Sequence, residues 1–173
     1  MITYVNDVIS TLPITYLFYL LFILKRPDFA IGMCSTDIIT MILKKLSNHL
    51  DKGSFLYTLT RRPVVGSTCD LLSRIPSKVN APGFPSGHMA ITLYFYTMLL
   101  FLKYKEDKHT TIMEFCKSHW IDMAIYFIFV CLTGFARIHK GCHTFTQVVA
   151  GSIVGILGFY IHNKIQLQFN LFK

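Results

Sequence analysis

Charge is what this 173-residue chain has least of: only 15% of its residues are Asp, Glu, Lys or Arg, against about a quarter in soluble domains. Apolar residues make up 53%, aromatics 14%, and the mean hydropathy is +0.47. A soluble domain of this size buries only about 70% of the surface its unfolded chain exposes, so it could not hide so much apolar surface. Acids are scarcer than bases, nine against seventeen, which leaves a formal charge of +8. In so apolar a chain that excess does not call for nucleic acid. It suits the positive-inside bias, lipid headgroups or a phosphorylated substrate. The chain has no CxxC pair, no N-x-S/T sequon, no internal repeat and no low-complexity tract. Its five cysteines, Cys34, Cys69, Cys116, Cys131 and Cys142, therefore read as free thiols, and residues 1–173 read as one domain. These features exclude an aqueous globular enzyme, a disordered chain and a disulfide scaffold. They predict an all-α, polytopic membrane helix bundle.

A spanning helix needs about 20 mainly apolar residues. Five stretches approach that length: 8–24, 29–46, 89–104, 120–136 and 146–161. The first lacks a positive n-region and a small-residue cleavage site, so it reads as an anchor rather than a cleaved signal. The second is the weakest, interrupted by Asp37 and closed by Lys44 and Lys45. Asp37 reads equally as a functional group and as a polar contact between helices. The fifth carries Gly151, Gly155 and Gly158, whose spacing suits close helix packing.

One long connection, residues 47–87, is punctuated by Gly53, Pro63, Gly66, Pro76, Pro82, Gly83 and Pro85. Loops of this length are usually functional or disordered. From Lys44 to His88 seven bases (Lys44, Lys45, Lys52, Arg61, Arg62, Arg74, Lys78) outnumber two acids (Asp51, Asp70), a net of +5. Three clusters lie in, at the end of or beyond it: Arg61-Arg62-Pro63, Phe84-Pro85-Ser86-Gly87-His88, and Ala136 through Gln147. Ser86 and Gly87 suit a helix start, where Ser can cap and free N–H groups favour an anion. His143 and Gln147 lie four apart and share a helix face. Arg137 offers a planar fork for phosphate oxygens. Two histidines at helix starts among arginines suit phosphoryl transfer, one attacking phosphorus while the other protonates the leaving oxygen.

The three clusters together resemble the type-2 phosphatidic acid phosphatase superfamily, whose pattern reads KxxxxxxRP, PSGH and SRxxxxxHxxxD. PSGH is complete at 85–88, and Arg137, five residues and His143 match the third element. The resemblance covers a core of about residues 29–161. It implies that His143 is the nucleophile forming a phosphohistidine and that His88 is the general acid. Arg62, Arg137, Ser86 and the Gly87 backbone would form the phosphate cradle, with no metal or other cofactor. Gln147 stands where the family usually has Asp, so an amide would orient the nucleophile. His143-Thr144-Phe145-Thr146-Gln147-Val148 is most similar to the dolichyl-diphosphatase form HTWSQV. Ala136 replaces the usual Ser. Phe55 stands at the first-element lysine position, leaving Lys44, Lys45 and Lys52 as candidates for that role.

The resemblance implies a membrane phosphatase acting on a lipid phosphate or, favoured by the Gln form and the +5 loop, a polyprenyl diphosphate. A catalytically silent lipid-phosphate binder and a phosphatase of a soluble ester are the alternatives. Partners are the substrate and membrane lipids, with no nucleic acid. The connectivity predicts all three clusters on one membrane face. Lys and Arg divide nine to eight between the faces, which gives no orientation; resemblance favours a lumenal or extracytoplasmic site in an endoplasmic-reticulum-type membrane. Arg61, Arg74 and Lys78 read as headgroup contacts or a solvated face. His139 and Lys140 read either as phosphate neighbours or as solvated loop residues. His49, His109, His119 and His162 lack ligand spacing.

Overall fold

The computed structural model describes residues 2–63, 69, 81–107 and 111–169. Helix α1 (Ile2–Phe18) runs on through a π-helical turn (Tyr19–Ile23). It is followed by α2 (Pro27–Ser47), α3 (Phe55–Thr60), α4 (Gly87–Glu106), α5 (Ile112–Ser118), α6 (Trp120–His139) and α7 (Phe145–Phe169). The five long helices coincide with the five apolar stretches, and no named strand occurs among the described residues. Pro27 opens α2, with Asp28 in its first turn and Lys44 and Lys45 in its last. That order matches the helix dipole. Ser54 caps α3 by accepting from the Tyr57 N–H, and Thr111 caps α5 by accepting from the Glu114 N–H. Helix α3 breaks up a connection whose sequence shows no helical periodicity; a six-residue helix is too short to display one.

Helix α4 is the axis of the bundle and packs against α1, α2, α6 and α7. Its first half is buried almost all round, from Gly87 through Met98, which explains why it carries no single apolar stripe. Tyr16 of α1 stacks on Phe95 at 4.3 Å between centroids, and Tyr96 stacks on Tyr126 of α6. Helix α7 approaches α4 most closely. A Cβ at Gly151 would collide with the Ser86 carbonyl oxygen, and one at Gly155 with that of Ala90. Two glycines four apart thus lie against two α4 carbonyls four apart, as the packing reading of those glycines expects.

Helices α6 and α7 are long and apolar enough to cross a membrane. Only 22% and 28% of their most apolar windows are buried within the bundle, and Phe127, Phe135, Ile153 and Leu157 point outward. Helices α2 and α4 do not meet the same measure, because Asp37, Lys44, Lys45, His88, Lys103 and Lys105 dilute their apolar runs. Polar clamps close the end of the bundle away from those clusters. Arg26 pairs with Asp28 at 2.6 Å, and Gln166 of α7 donates to the same carboxylate at 2.9 Å. Lys103 pairs with Asp122, and His119 with Asp107.

Replacing Gly155 by Val should force α7 off α4 and destabilise the bundle by about 1–3 kcal/mol. Thermal unfolding in detergent checks this beside Gly53→Val, where the structure leaves open space and no loss is expected.

Candidate active site

The three clusters converge at one end of the bundle. The C-terminal turns of α2 and α6 and the N-terminal turns of α4 and α7 meet there around a cavity of about 290 Å³. Lys44, Arg62, Gly87, His88 and His143 line it, with Pro13, Asp37, Met41, Cys69 and Ile91 completing the wall. The ends of the basic connection are held together by an isolated antiparallel bridge. Arg62 N–H donates to the Ala81 carbonyl and Gly83 N–H to that of Thr60. That bridge brings Arg62 beside the segment leading to His88.

Gly141, at φ 71°, ends α6 and turns the chain back. The N–H groups of Cys142 and His143 both donate to the Arg137 carbonyl, so the His143 backbone hangs from the end of that helix. The His143 side chain is 2% exposed, and its Nδ1 lies 3.3 Å from Gln147 Oε1. Gln147 Nε2 donates to the carbonyls of Leu59 and Arg61, each at 2.8 Å. With the amide nitrogen committed to two acceptors, the amide oxygen must face the imidazole and can only accept. Nδ1 therefore carries the proton, and Nε2 keeps its lone pair. Burial, followed by the positive charges of Arg137, Lys44, Arg62 and His88, holds His143 well below the usual imidazole pKa. The result is a neutral, oriented nitrogen facing a cationic cavity.

The expected residues separate by position. Lys44 lines the cavity while Lys45 and Lys52 are exposed; Lys44 is the only one of the three that reaches it. Asp37, Met41 and Lys44 recur at helical spacing on α2, a pattern by which the sequence marks this face. Gly87 is pressed by the same helix. A Cβ there would lie 3.2 Å from Thr40 Oγ1, 3.3 Å from Asp37 Oδ1 and 3.5 Å from Lys44 Nζ. Ser86 occupies the N-cap of α4, but its side chain makes no capping bond, contrary to the sequence expectation. Its hydroxyl is wholly buried without a hydrogen-bond partner among the described residues, while its N–H donates to the Gln147 carbonyl at 3.0 Å. Arg137, 1% exposed, donates through Nη2 to the Cys69 carbonyl at 2.5 Å.

Several expectations are corrected. Cys69 and Cys142 are not free thiols; they form a disulfide across 73 residues, beside His143. Cys34, Cys116 and Cys131 are free. Nothing in the spacing of five cysteines reveals that pair. Arg61 is not a headgroup contact or part of a solvated face. It is buried, donates to Asn48 Oδ1 and the Ser47 carbonyl, and lies over the Tyr57 ring. There it fastens α3 to the C-terminus of α2 and leaves the cavity to Arg62. His139 stacks on Phe135, and neither His139 nor Lys140 lines the cavity. Arg74, Lys78 and His109 lie outside the described residues. Among those residues no group of three or more His, Cys, Asp and Glu side chains is placed to hold a metal ion.

The family model for the PAP2 superfamily matches residues 26–170. No curated protein and no solved structure matches the chain.

A histidine-detected NMR titration should find the His143 midpoint well below the usual 6.5, so that the neutral form persists as pH falls through that value. Arg137→Gln should move that midpoint up, because one opposing charge is gone. Reducing the Cys69–Cys142 bridge should release the carbonyl that holds Arg137 and cut phosphatase kcat/KM by about 10–100-fold, the scale of a slight misplacement of a catalytic group. Assay with and without a phosphine reductant, beside Cys69→Ser, tests it. A reductant effect that persists in Cys69→Ser would assign the loss elsewhere.

Proposed function

Since this chain belongs to the PAP2 superfamily, and is by that membership a phosphatase of phosphate esters, we propose that it hydrolyses a lipid phosphate or polyprenyl diphosphate within a membrane through a phosphohistidine. The observation that carries this is the His143–Gln147 pair. A buried imidazole with its Nδ1 proton assigned faces a cavity shared with His88, Lys44 and Arg62.

In the first step His143 Nε2 attacks phosphorus, the N–P bond forms, and the P–O bond to the leaving group breaks, an ester bond in a lipid phosphate and an anhydride bond in a diphosphate. His88 gives its proton to the departing oxygen. In the second step water attacks phosphorus, His88 takes its proton, and the N–P bond breaks to release inorganic phosphate. Lys44 and Arg62 hold the equatorial oxygens, and Arg137, buried behind the cavity lining, adds its positive charge to offset the charge that develops on them. Ser86 and the Gly87 N–H complete the cradle at the start of α4. The chain's own side chains supply every proton transfer, so no cofactor is required.

The membrane part of the reading is supported by the outward apolar faces of α6 and α7 and by five long helices in an antiparallel order. With the cavity at the helix ends, the scissile phosphate sits at headgroup depth and the tail remains in the bilayer. The disulfide beside His143 supports an active site on the oxidising, lumenal or extracytoplasmic side, in keeping with an endoplasmic-reticulum-type membrane.

His143→Ala should lower phosphate release by about 10⁴-fold or more, and acid-labile label should accumulate on quenched wild-type protein but not on the variant. His88→Ala should slow poor leaving groups far more than good ones, since a good leaving oxygen needs no proton. Retained turnover in His143→Ala would remove the nucleophile assignment. Activity in the presence of EDTA is expected to be unchanged.

A further inference from the structure

Helix α3 is built inside out for a helix in water. Phe55 and Leu56 are 76% and 58% exposed, while Thr60 is buried and the Tyr57 ring lies under the Arg61 guanidinium. Phe55 stands where the PAP2 pattern has its first lysine, and Lys44 of α2 lines the cavity instead. Position 55 is thereby released from the site, and an outward phenylalanine occupies it. Arg61 fixes the level at which α3 lies, by donating to the Ser47 carbonyl and Asn48 Oδ1 at the C-terminal end of α2. On that helix Ile38, Ile42 and Leu46 recur every fourth residue and are all exposed, so an outward apolar stripe runs up to the place where α3 is fastened. Around it Lys45, Asn48, His49, Asp51 and Lys52 are exposed. An apolar stripe ending in aromatic, basic and polar side chains is the order found where a helix leaves hydrocarbon for headgroups.

The other end of α3 reaches the catalytic groups through three consecutive carbonyls. Those of Leu59 and Arg61 accept from Gln147 Nε2, and Gln147 Oε1 in turn holds His143 Nδ1. That of Thr60 accepts from the Gly83 N–H, in the segment leading to His88. A shift of α3 therefore moves the supports of both histidines at once. Yet a helix of six residues is too short to hold its place unaided, and the protein leaves one side of it uncovered.

We infer that α3 is an interfacial anchor: Phe55 and Leu56 insert into the boundary between headgroups and acyl chains of the leaflet that holds the active site. This lipid contact keeps the three carbonyls, and through them His143 and His88, in register. The inference rests on the membrane reading and goes beyond it, because the lipid surface becomes a partner of the catalytic site and not only the medium of its substrate. Phe55 and Leu56 are positioning residues, since neither lines the cavity. The apolar stripe of α2, continuous with the level of α3, is what assigns lipid rather than another protein to the uncovered side.

The test has a depth arm and a coupling arm, both in phosphatidylcholine vesicles. For depth, the single native tryptophan is removed as Trp120→Phe, and Phe55→Trp or Phe127→Trp is added before quenching with brominated lipids. Phe55→Trp should be quenched more by bromines near the head of the acyl chain than by bromines near its middle. Phe127→Trp, outward on α6, should show the reverse order. Quenching at position 127 but not at 55 would overturn the inference and leave the membrane reading standing; quenching at neither would remove both. For coupling, p-nitrophenyl phosphate is the substrate, because its supply does not depend on the bilayer. Phe55→Ser combined with Leu56→Ser should lower kcat by about tenfold while KM changes by less than about twofold, and Phe55→Trp should keep the wild-type rate. Phe127→Ser, which removes an outward phenylalanine from another helix, should leave kcat unchanged. The double variant should also lose the single His143 tautomer in nitrogen-15 NMR spectra, a readout that needs no turnover. An unaltered kcat or tautomer in the double variant, or an equal loss in Phe127→Ser, would overturn the inference.

Discussion

One residue joins the three parts of the site. The Gln147 amide oxygen accepts from His143, its nitrogen donates to the backbone of Leu59 and Arg61, and its own carbonyl receives the Ser86 N–H. Segments separated by more than eighty residues thereby share one rigid node. The bonds to His143 and Arg61 are buried and that to Leu59 partly so; an unmade partner at a buried position costs about 1–3 kcal/mol. A carboxylate at this position could accept from the imidazole but could not donate to Leu59 and Arg61. The departure from the usual Asp is therefore matched by a local architecture that needs an amide.

The node works only because α7 reaches α4 closely. Gly151 and Gly155 let the two helices approach to backbone distance, which puts the first turn of α7 beside the first turn of α4. The same approach encloses His143, and enclosure among cations is what keeps its imidazole neutral. Packing, tautomer and protonation state are thus consequences of one interhelical spacing rather than separate features.

Much of this was legible in the sequence, and the omissions have physical reasons. Long apolar runs bounded by Lys, Pro and Gly locate the five major helices, because solvent and backbone constraints act locally at those borders; α1 begins earlier than its apolar run, at Ile2, and α7 continues past its run to Phe169. PSGH and the Arg137–His143 spacing mark the site because each spans a single short helix border, the start of α4 and the turn from α6 to α7. The identity of the cavity lysine is less local. It depends on which side of α2 faces α4, and only the recurrence of Asp37, Met41 and Lys44 points to it. The roles of Arg61 and of Cys69 and Cys142 depend on partners thirteen to seventy-three residues away, for which a single sequence holds no pattern. Adjacent arginines with opposite fates, one a buried fastener and one a cavity wall, differ only in which way the strand-like bridge at Pro82 turns them.

The disulfide also bears on how the protein is made. The bond closes a ring of chain that contains α4, α5 and α6, and Cys142 follows the penultimate long helix. In the membrane arrangement proposed above, Cys142 and Cys69 share a face only if α4 and α6 have both crossed or neither has. A chain with one of them left uninserted presents its two thiols to opposite compartments and stays open. Oxidation therefore separates chains in which α4 and α6 inserted as a pair from those in which one was left behind, and the cavity acquires its disulfide-bound wall only in the former.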